Sequence, residues 1–443
     1  MLSDRSFGRA FASVLAIVIA LVASPPLPAQ STAADSAGLR LAPLYATAAR
    51  ANPRIAAAAA LARATAARVP GASRPPDPQL QLGLMNRSLP GLGPMDPLGM
   101  TQLQLMQMVP TAGKLRLAGA AAEGRANAAT ARAEDIRWEV RGRVAEAFYD
   151  VYRSERAITN AQSTRLLLEE TATTADAMYR VGETAQADVL KARVEVAKMT
   201  EDLVGMRAMR LIALATLGGL LEQTFDSSTP PAVLPLLPKT IPTVDALVRE
   251  AVIARPMIRA GEADLTAAEA DTRRAYREIW PDLQVGLQYG TQGRGDRIER
   301  MGSLMLGASI PVFAQSRQLR MRDEANAMQA MTAADVAATR ADTRARVAAT
   351  YVAWTKARNL SELYRTTILP QAGAAVSASL AAYRVGKVNL MTLLDNQMTV
   401  NRYSQELSAL EASEGMALSD LEMLLGRTLY DPNTGRLTPG GDR

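Results

Sequence analysis

The 443-residue chain contains no cysteine and no histidine, and only 4% of it is aromatic. Without cysteine there can be no structural disulfide, thiolate metal site, thiol nucleophile or lipid-bearing N-terminal cysteine. Without histidine the usual hydrolase triads and the common zinc sites cannot be assembled. So few aromatics supply thick globular cores poorly. Abundant alanine with regularly spaced Leu, Val and Arg suits long helices packed at close range instead. Long apolar runs are also scarce. The run from Phe11 to Val22 follows Arg5 and Arg9 and precedes "ASPPLPAQS"; at roughly a dozen residues it is shorter than the ~20 that cross a bilayer as a helix. It reads as a secretory signal over 1–29 that is removed. Any membrane contact by the mature protein must then use something other than transmembrane helices.

The charge of +6, from 50 basic and 44 acidic residues, alternates along the chain. That is a solvated surface and not a nucleic-acid footprint. "AGKLR" at Ala112 contains Gly-Lys but lacks the upstream Gly and following Ser/Thr of a phosphate-binding loop. No set of nucleophile, base and metal ligands can be gathered, so the chain is expected to be no enzyme and to need no cofactor.

What the chain does have is a repeat. "YRVG" occurs at Tyr179 and again at Tyr383, and a shift of about 203 residues aligns much else. "PQLQLGL" at Pro78 meets "PDLQVGL" at Pro281, and "RGRVAEAFYDV" at Arg141 meets "RARVAATYVAW" at Arg344. Slightly different shifts match Pro110 to Pro311 and "TLG" at Thr216 to "LLG" at Leu424. Chance would not keep this order and spacing, so the chain is two copies of one unit. The first spans 30–232 and the second 233–428, with a C-terminal tail over 429–443 expected to be flexible.

Each unit has the same plan. It opens with a helix, from about Leu39 to Val69 or about Val244 to Glu278, ending near a proline. Two alternating segments follow, within 79–109 and 282–310, where Leu80, Leu82 and Leu84, or Leu283, Val285 and Leu287, take every second place. "SLPGLGPMDPLGM" and "TQGRGDRIERM" between them read as loops. After Pro110 or Pro311 a long helix runs to the YRVG turn, and a shorter one ends near Leu220 or Leu425. The long helix of the first unit, about 66 residues, would reach about 100 Å. The two shorter helices sum to nearly that length and can stack end to end beside it. Val140, Val144, Phe148 and Val151 mark a stripe for sideways packing.

The strands argue against the plain alternative of a periplasmic coiled-coil structural or adaptor protein. Segments of about eight to ten residues, aliphatic on one face and small or polar on the other, match outer-membrane barrel strands. Four strands cannot close a barrel, and open edges in lipid leave backbone groups unpaired. Several chains must share one barrel: two would give eight strands and three would give twelve.

The signal, the twofold repeat, the two strand pairs, the proline before each long helix and the paired YRVG turns together resemble the TolC family of outer-membrane efflux channels. The resemblance covers essentially the whole mature chain. It implies a mainly α fold with a small β part: a homotrimer with a twelve-stranded barrel in outer-membrane lipid and a long α-helical barrel in the periplasm of a Gram-negative cell. It also implies a passive duct completing a tripartite pump with a periplasmic adaptor, or membrane fusion protein, and an inner-membrane transporter. The YRVG turns then look like the periplasmic tip, where Tyr179, Arg180, Val181, Gly182, Arg384, Val385 and Gly386 would meet the adaptor. In the family an acid nine residues after the first turn's aromatic links to the Tyr of the second turn and helps hold the pore shut; those positions are Asp188 and Tyr383. A basic residue of that lock is Val388 here, with Lys387 adjacent. Of two acids in the constricting ring one position is Thr392 and the other keeps Asp395, and three copies of Asp395 would favour cations. Met85, Met95, Met100, Met106 and Met108 crowd the first strand pair, which suggests soft-metal chemistry. Lipid-facing or gap-filling methionine is the plainer account. "PDPQLQLGLMN" and "VPTAGKLR" are similar to segments of the family's heavy-metal, including copper, efflux branch.

Overall fold

The computed structural model describes residues 38–86, 94, 99–294 and 297–438. The expected signal at 1–29 and Met95 lie outside the described residues. In order, the elements are α1 (Leu41–Ala51), α2 (Pro53–Ala72), β1 (Gln79–Met85), β2 (Met100–Val109), α3 (Lys114–Arg180), α4 (Gln186–Leu221), α5 (Val244–Ala254), α6 (Pro256–Arg277), β3 (Leu283–Arg294), β4 (Arg297–Ala308), α7 (Gln318–Leu363), a π-helical turn (Tyr364–Ile368), α8 (Leu369–Arg384) and α9 (Leu390–Leu425).

Several expectations about the elements need correction. The opening helix of each unit is broken, at Asn52 and at Arg255, because the residue before a proline is pushed out of the α region while the proline itself starts the next helix well. The second long helix begins at Gln318 and not directly after Pro311. It also passes through the π turn just before Pro370, whose ring displaces the regular hydrogen bond to the turn above. The stretch "TQGRGDRIERM" is mostly strand: Thr291 pairs Arg300 and Gln292 pairs Glu299, so backbone pairing continues past the apolar rungs.

The helices form a curved row one helix thick. In the half nearer the sheet the order is α2, α3, α6, α7; in the far half it is α4, α3, α9, then α7 leading into α8. The 67-residue α3 runs through the middle of both halves and is about 100 Å long. Its buried positions include Ala121, Ala128, Ala145, Ala161 and Ala175, small residues that let neighbours approach closely. This is what the alanine content does. α7, at an edge, leaves Met321, Met328, Met331 and Val352 exposed.

The short helices stack end to end, as their lengths allow. Asn52 caps α2 by accepting from the Arg54 N–H (3.0 Å) and donates to the Leu220 carbonyl at the end of α4 (2.9 Å). Two cores flank this junction, one around Phe148, Tyr149, Leu214 and Leu217, the other around Leu247, Trp354, Leu418 and Leu421. A buried charge network crosses it: Arg141 lies over the Tyr45 ring and donates to Glu422 (3.1 Å), whose other oxygen accepts the Leu429 N–H (2.9 Å). Burial raises the Glu422 carboxyl above its ordinary value despite Arg141. The segment after α9 therefore packs: Leu429 and Tyr430 are buried, where the whole of 429–443 is expected to be flexible.

The sheet order is β1-β2-β3-β4, all antiparallel. Leu80, Leu105, Leu287 and Leu304 stand directly opposite one another across it, with Leu82, Leu103 and Tyr289 on the next rung. One face is thus a band of exposed leucines. The other carries Gln81, Gln104, Gln288 and Ser303 in one row. Met85, Met100, Met106 and Met108 lie on this second face, opposite the leucine band.

Candidate functional site

The two YRVG turns have one backbone geometry. After α3, Gly182 takes φ 82°, its N–H donates to the Tyr179 carbonyl and the Glu183 N–H donates to Met178. After α8, Gly386 takes φ 68°, with the same bonds from Gly386 to Tyr383 and from Lys387 to Ala382. A left-handed residue at this place closes a helix C-terminus, and glycine adopts it without a steric cost. Val181 and Val385 project from the turns with 71% and 66% of their surface exposed.

The side chains around the turns differ. Arg180 pairs with Asp176 on its own helix (2.6 Å), whereas Arg384 reaches across to Glu170 on α3 (2.9 Å). Tyr179 is exposed. Tyr383 is buried among Leu168, Met178, Leu390 and Leu393 in a core that joins both hairpins. A second tie lies above it, where Gln397 donates to Thr171 (2.9 Å), both buried.

Asp188, in the first turn of α4, comes close to Tyr383. The Thr184 hydroxyl donates to Asp188 (2.6 Å), and the Tyr383 hydroxyl faces this pair without a hydrogen bond that meets normal geometry. Burial, then the Asp188 charge, raises the Tyr383 phenol above its ordinary value, and Thr184 opposes the shift. The two residues from opposite repeats are thus brought together, with Thr184 as an intermediary that sequence reading missed. Glu170 and Thr171 were missed too, because nothing distinguishes one polar helix residue from another until the hairpins pack.

Asp395 is exposed on the second turn of α9. Thr392 also faces solvent, its hydroxyl donating to the Asn389 cap (2.8 Å), and Val388 brings no charge. Asp395 is therefore the exposed acid of that turn. Among the described residues no group of three or more carboxylates could hold a metal ion.

Comparison with known proteins bears on the fold. A protein 22% identical over 316 residues, covering 69% of this chain and 72% of its own length, is the cobalt-zinc-cadmium resistance protein CzcC of Cupriavidus metallidurans. The outer-membrane channel OprN superimposes with a TM-score of 0.76 at 19% identity, over 87% of this chain and 89% of its own. The outer-membrane protein VceC of Vibrio cholerae gives 0.75 at 18%, over 88% and 96%. The outer membrane efflux protein family model matches residues 44–222 and 247–427, one stretch in each repeat. With a helical row, a leucine-banded sheet and a family match across both halves, the chain belongs to the outer membrane efflux protein family, the TolC-like channels of the outer membrane.

Proposed function

We propose that three copies of this chain close into one duct, which receives substrate from a periplasmic adaptor and an inner-membrane transporter and releases it outside. The observation that carries this reading is that one chain leaves two structures unfinished in the same sense. Its sheet has open edges at β1 and β4, and its helical row has open edges at α2 with α4 and at α7 with α8. In lipid an open strand edge costs several kcal/mol per unpaired group, so the sheet must find partners. α4 is apolar enough to span a membrane by composition, yet it exposes Leu190, Val194, Val204 and Ile212 along the row's free edge. A neighbouring copy covers that edge.

The tip, with Arg180, Val181, Arg384 and Val385, is the adaptor surface. Asp188, Thr184 and Tyr383 hold the two hairpins in the closed arrangement, and Asp395 rings the constriction. Heavy-metal ions are the cargo class, on the resemblance to CzcC. The channel itself holds no nucleotide motif, so energy comes from the inner-membrane partner.

The test is the protein mass, by light scattering, of the detergent-extracted complex from separated outer membranes. Three chain masses support the shared barrel. A monomer or dimer rejects it, and a soluble one restores the periplasmic coiled-coil alternative.

A further inference from the structure

The face of the sheet turned away from the leucines carries six methionines among its glutamines and glycines: Met85, Met100, Met106, Met108, Met301 and Met305. The strand register sorts them into two tiers. At the helical end Met106 and Met305 occupy one rung on either side of Gly286, and Met108 lies two residues along β2. At the loop end Met85 stands directly opposite Met100, and Met301 opposes Gly290 one rung away. Between the tiers runs the row of Gln81, Gln104, Gln288 and Ser303. Six residues of β2 separate Met100 from Met106, about 20 Å of strand.

The usual reasons for methionine do not apply on this face. Lipid meets the leucine band, and the opposite wall of such a barrel is wet, so a thioether there gains no burial in hydrocarbon. Nor does it fill a core, since among the described residues the sheet has no second layer. What distinguishes the thioether from leucine on a wet wall is its polarizable sulfur, a ligand for soft cations and a poor one for hard cations.

The local geometry places methionine side chains beside the glycines of this face. A Cβ at Gly286 would lie 3.3 Å from Met305 Cε and 3.7 Å from Met106 Cγ, so both side chains lean over the same gap. In the other tier a Cβ at Gly290 would lie 3.7 Å from Met100 Sδ. Each glycine leaves room on its rung beside at least one methionine side chain. With neither cysteine nor histidine in the chain, no stronger soft ligand competes.

We infer that the inner wall of the barrel binds soft monovalent cations, Cu(I) or Ag(I), in two thioether tiers separated by a glutamine belt. The inference rests on the reading that the leucine face meets lipid, and it narrows the cargo from heavy metals in general to thiophilic monovalent ions. Two or three thioethers make a shallow site, which suits a passage where an ion must leave as readily as it enters.

The purified trimer in detergent is titrated with Ag(I) and separately with Zn(II) by calorimetry. The comparison variants are Met106→Leu with Met305→Leu, and all six methionines changed to leucine, a swap that conserves volume and apolar character. The expected result is saturable Ag(I) binding that weakens at least tenfold in the double variant and disappears in the sixfold variant, with Zn(II) heats alike in all three. Silver-edge X-ray absorption compares the wild-type and sixfold-variant trimers: with no cysteine present a sulfur shell can come only from methionine, and one that is lost in the variant comes from these six. An oxygen or nitrogen shell, or equal Ag(I) uptake by wild-type and sixfold-variant trimers, overturns the inference. Light scattering on the same samples separates this from failure of the duct itself. Trimers with unchanged Ag(I) uptake sink only the thioether tiers, whereas absence of trimers in the wild type sinks the barrel.

Discussion

Tyr179 and Tyr383 hold the same place in two identical tetrapeptides with the same turn geometry, yet Tyr179 is 42% exposed and Tyr383 only 2%. Tyr383 is buried because the second hairpin lays it against α3 and α4, beside Thr184 and Asp188. The gate is therefore expected to depend on one tyrosine and not on both. Tyr383→Phe and Asp188→Ala should raise single-channel conductance and let large antibiotics into cells, while Tyr179→Phe should do neither. Asp188→Ala removes the bond from Thr184, and a closed state weakened by ~1 kcal/mol, the worth of one such contact, shifts the open population roughly fivefold. Unchanged permeability in both Tyr383→Phe and Asp188→Ala removes the pair from the gate.

Asp395 lies exposed where Thr392 and Val388 contribute no charge. Asp395→Ala should reduce cation preference and relieve block by multivalent cations in planar-bilayer recordings, with the trimer mass unaltered. Identical reversal potentials for the variant and wild type would leave Asp395 as an ordinary surface acid.

Val181 and Val385 are too exposed to support the fold, so replacing them should change stability by no more than about 0.5 kcal/mol. Val181→Asp combined with Val385→Asp is expected to abolish capture of the cognate adaptor while the unfolding temperature stays put. Arg384→Glu should weaken capture less, because its partner Glu170 is itself exposed and such pairs contribute about 0–1 kcal/mol. Retained capture by the double valine variant would move the adaptor surface away from the turns.

Gly415 faces the end of the buried Tyr149 ring, and a Cβ there would overlap the ring carbon and its hydroxyl. Gly415→Ala should lower stability by about 1–3 kcal/mol, the usual cost of overpacking. Thermal unfolding of the trimer checks this, and Tyr149→Phe in the Gly415→Ala background should recover only part of the loss, because the ring stays.

Glu422 gives a pH signature. Burial raises its folded-state pKa above the ordinary 4.5. The folded state therefore holds this proton more tightly than the unfolded state. The contribution is fully present below about pH 4.5 and is lost as pH rises through the folded value. Unfolding temperatures of wild type and Glu422→Gln, measured across that window, should diverge in the variant's favour with rising pH. A constant difference would mean that Arg141 neutralises the cost of burial.

The sequence by itself determined what is local and periodic. The repeat, the helix lengths, the alternation of Leu80, Leu82 and Leu84 and the two glycine-closed turns are each written within a few turns of chain, where hydrogen-bond geometry and side-chain period leave little choice. The breaks at Asn52 and Arg255 were equally local and carried a visible proline. Only the tertiary structure decided which tyrosine is buried, that Arg384 reaches Glu170, that Thr184 stands between Asp188 and Tyr383, and that the methionines share a face with the glutamines across four strands. Those facts depend on register and on how one hairpin lies against another. Two identical YRVG turns can have different surroundings because the partners of a side chain are set by packing between segments some 200 residues apart.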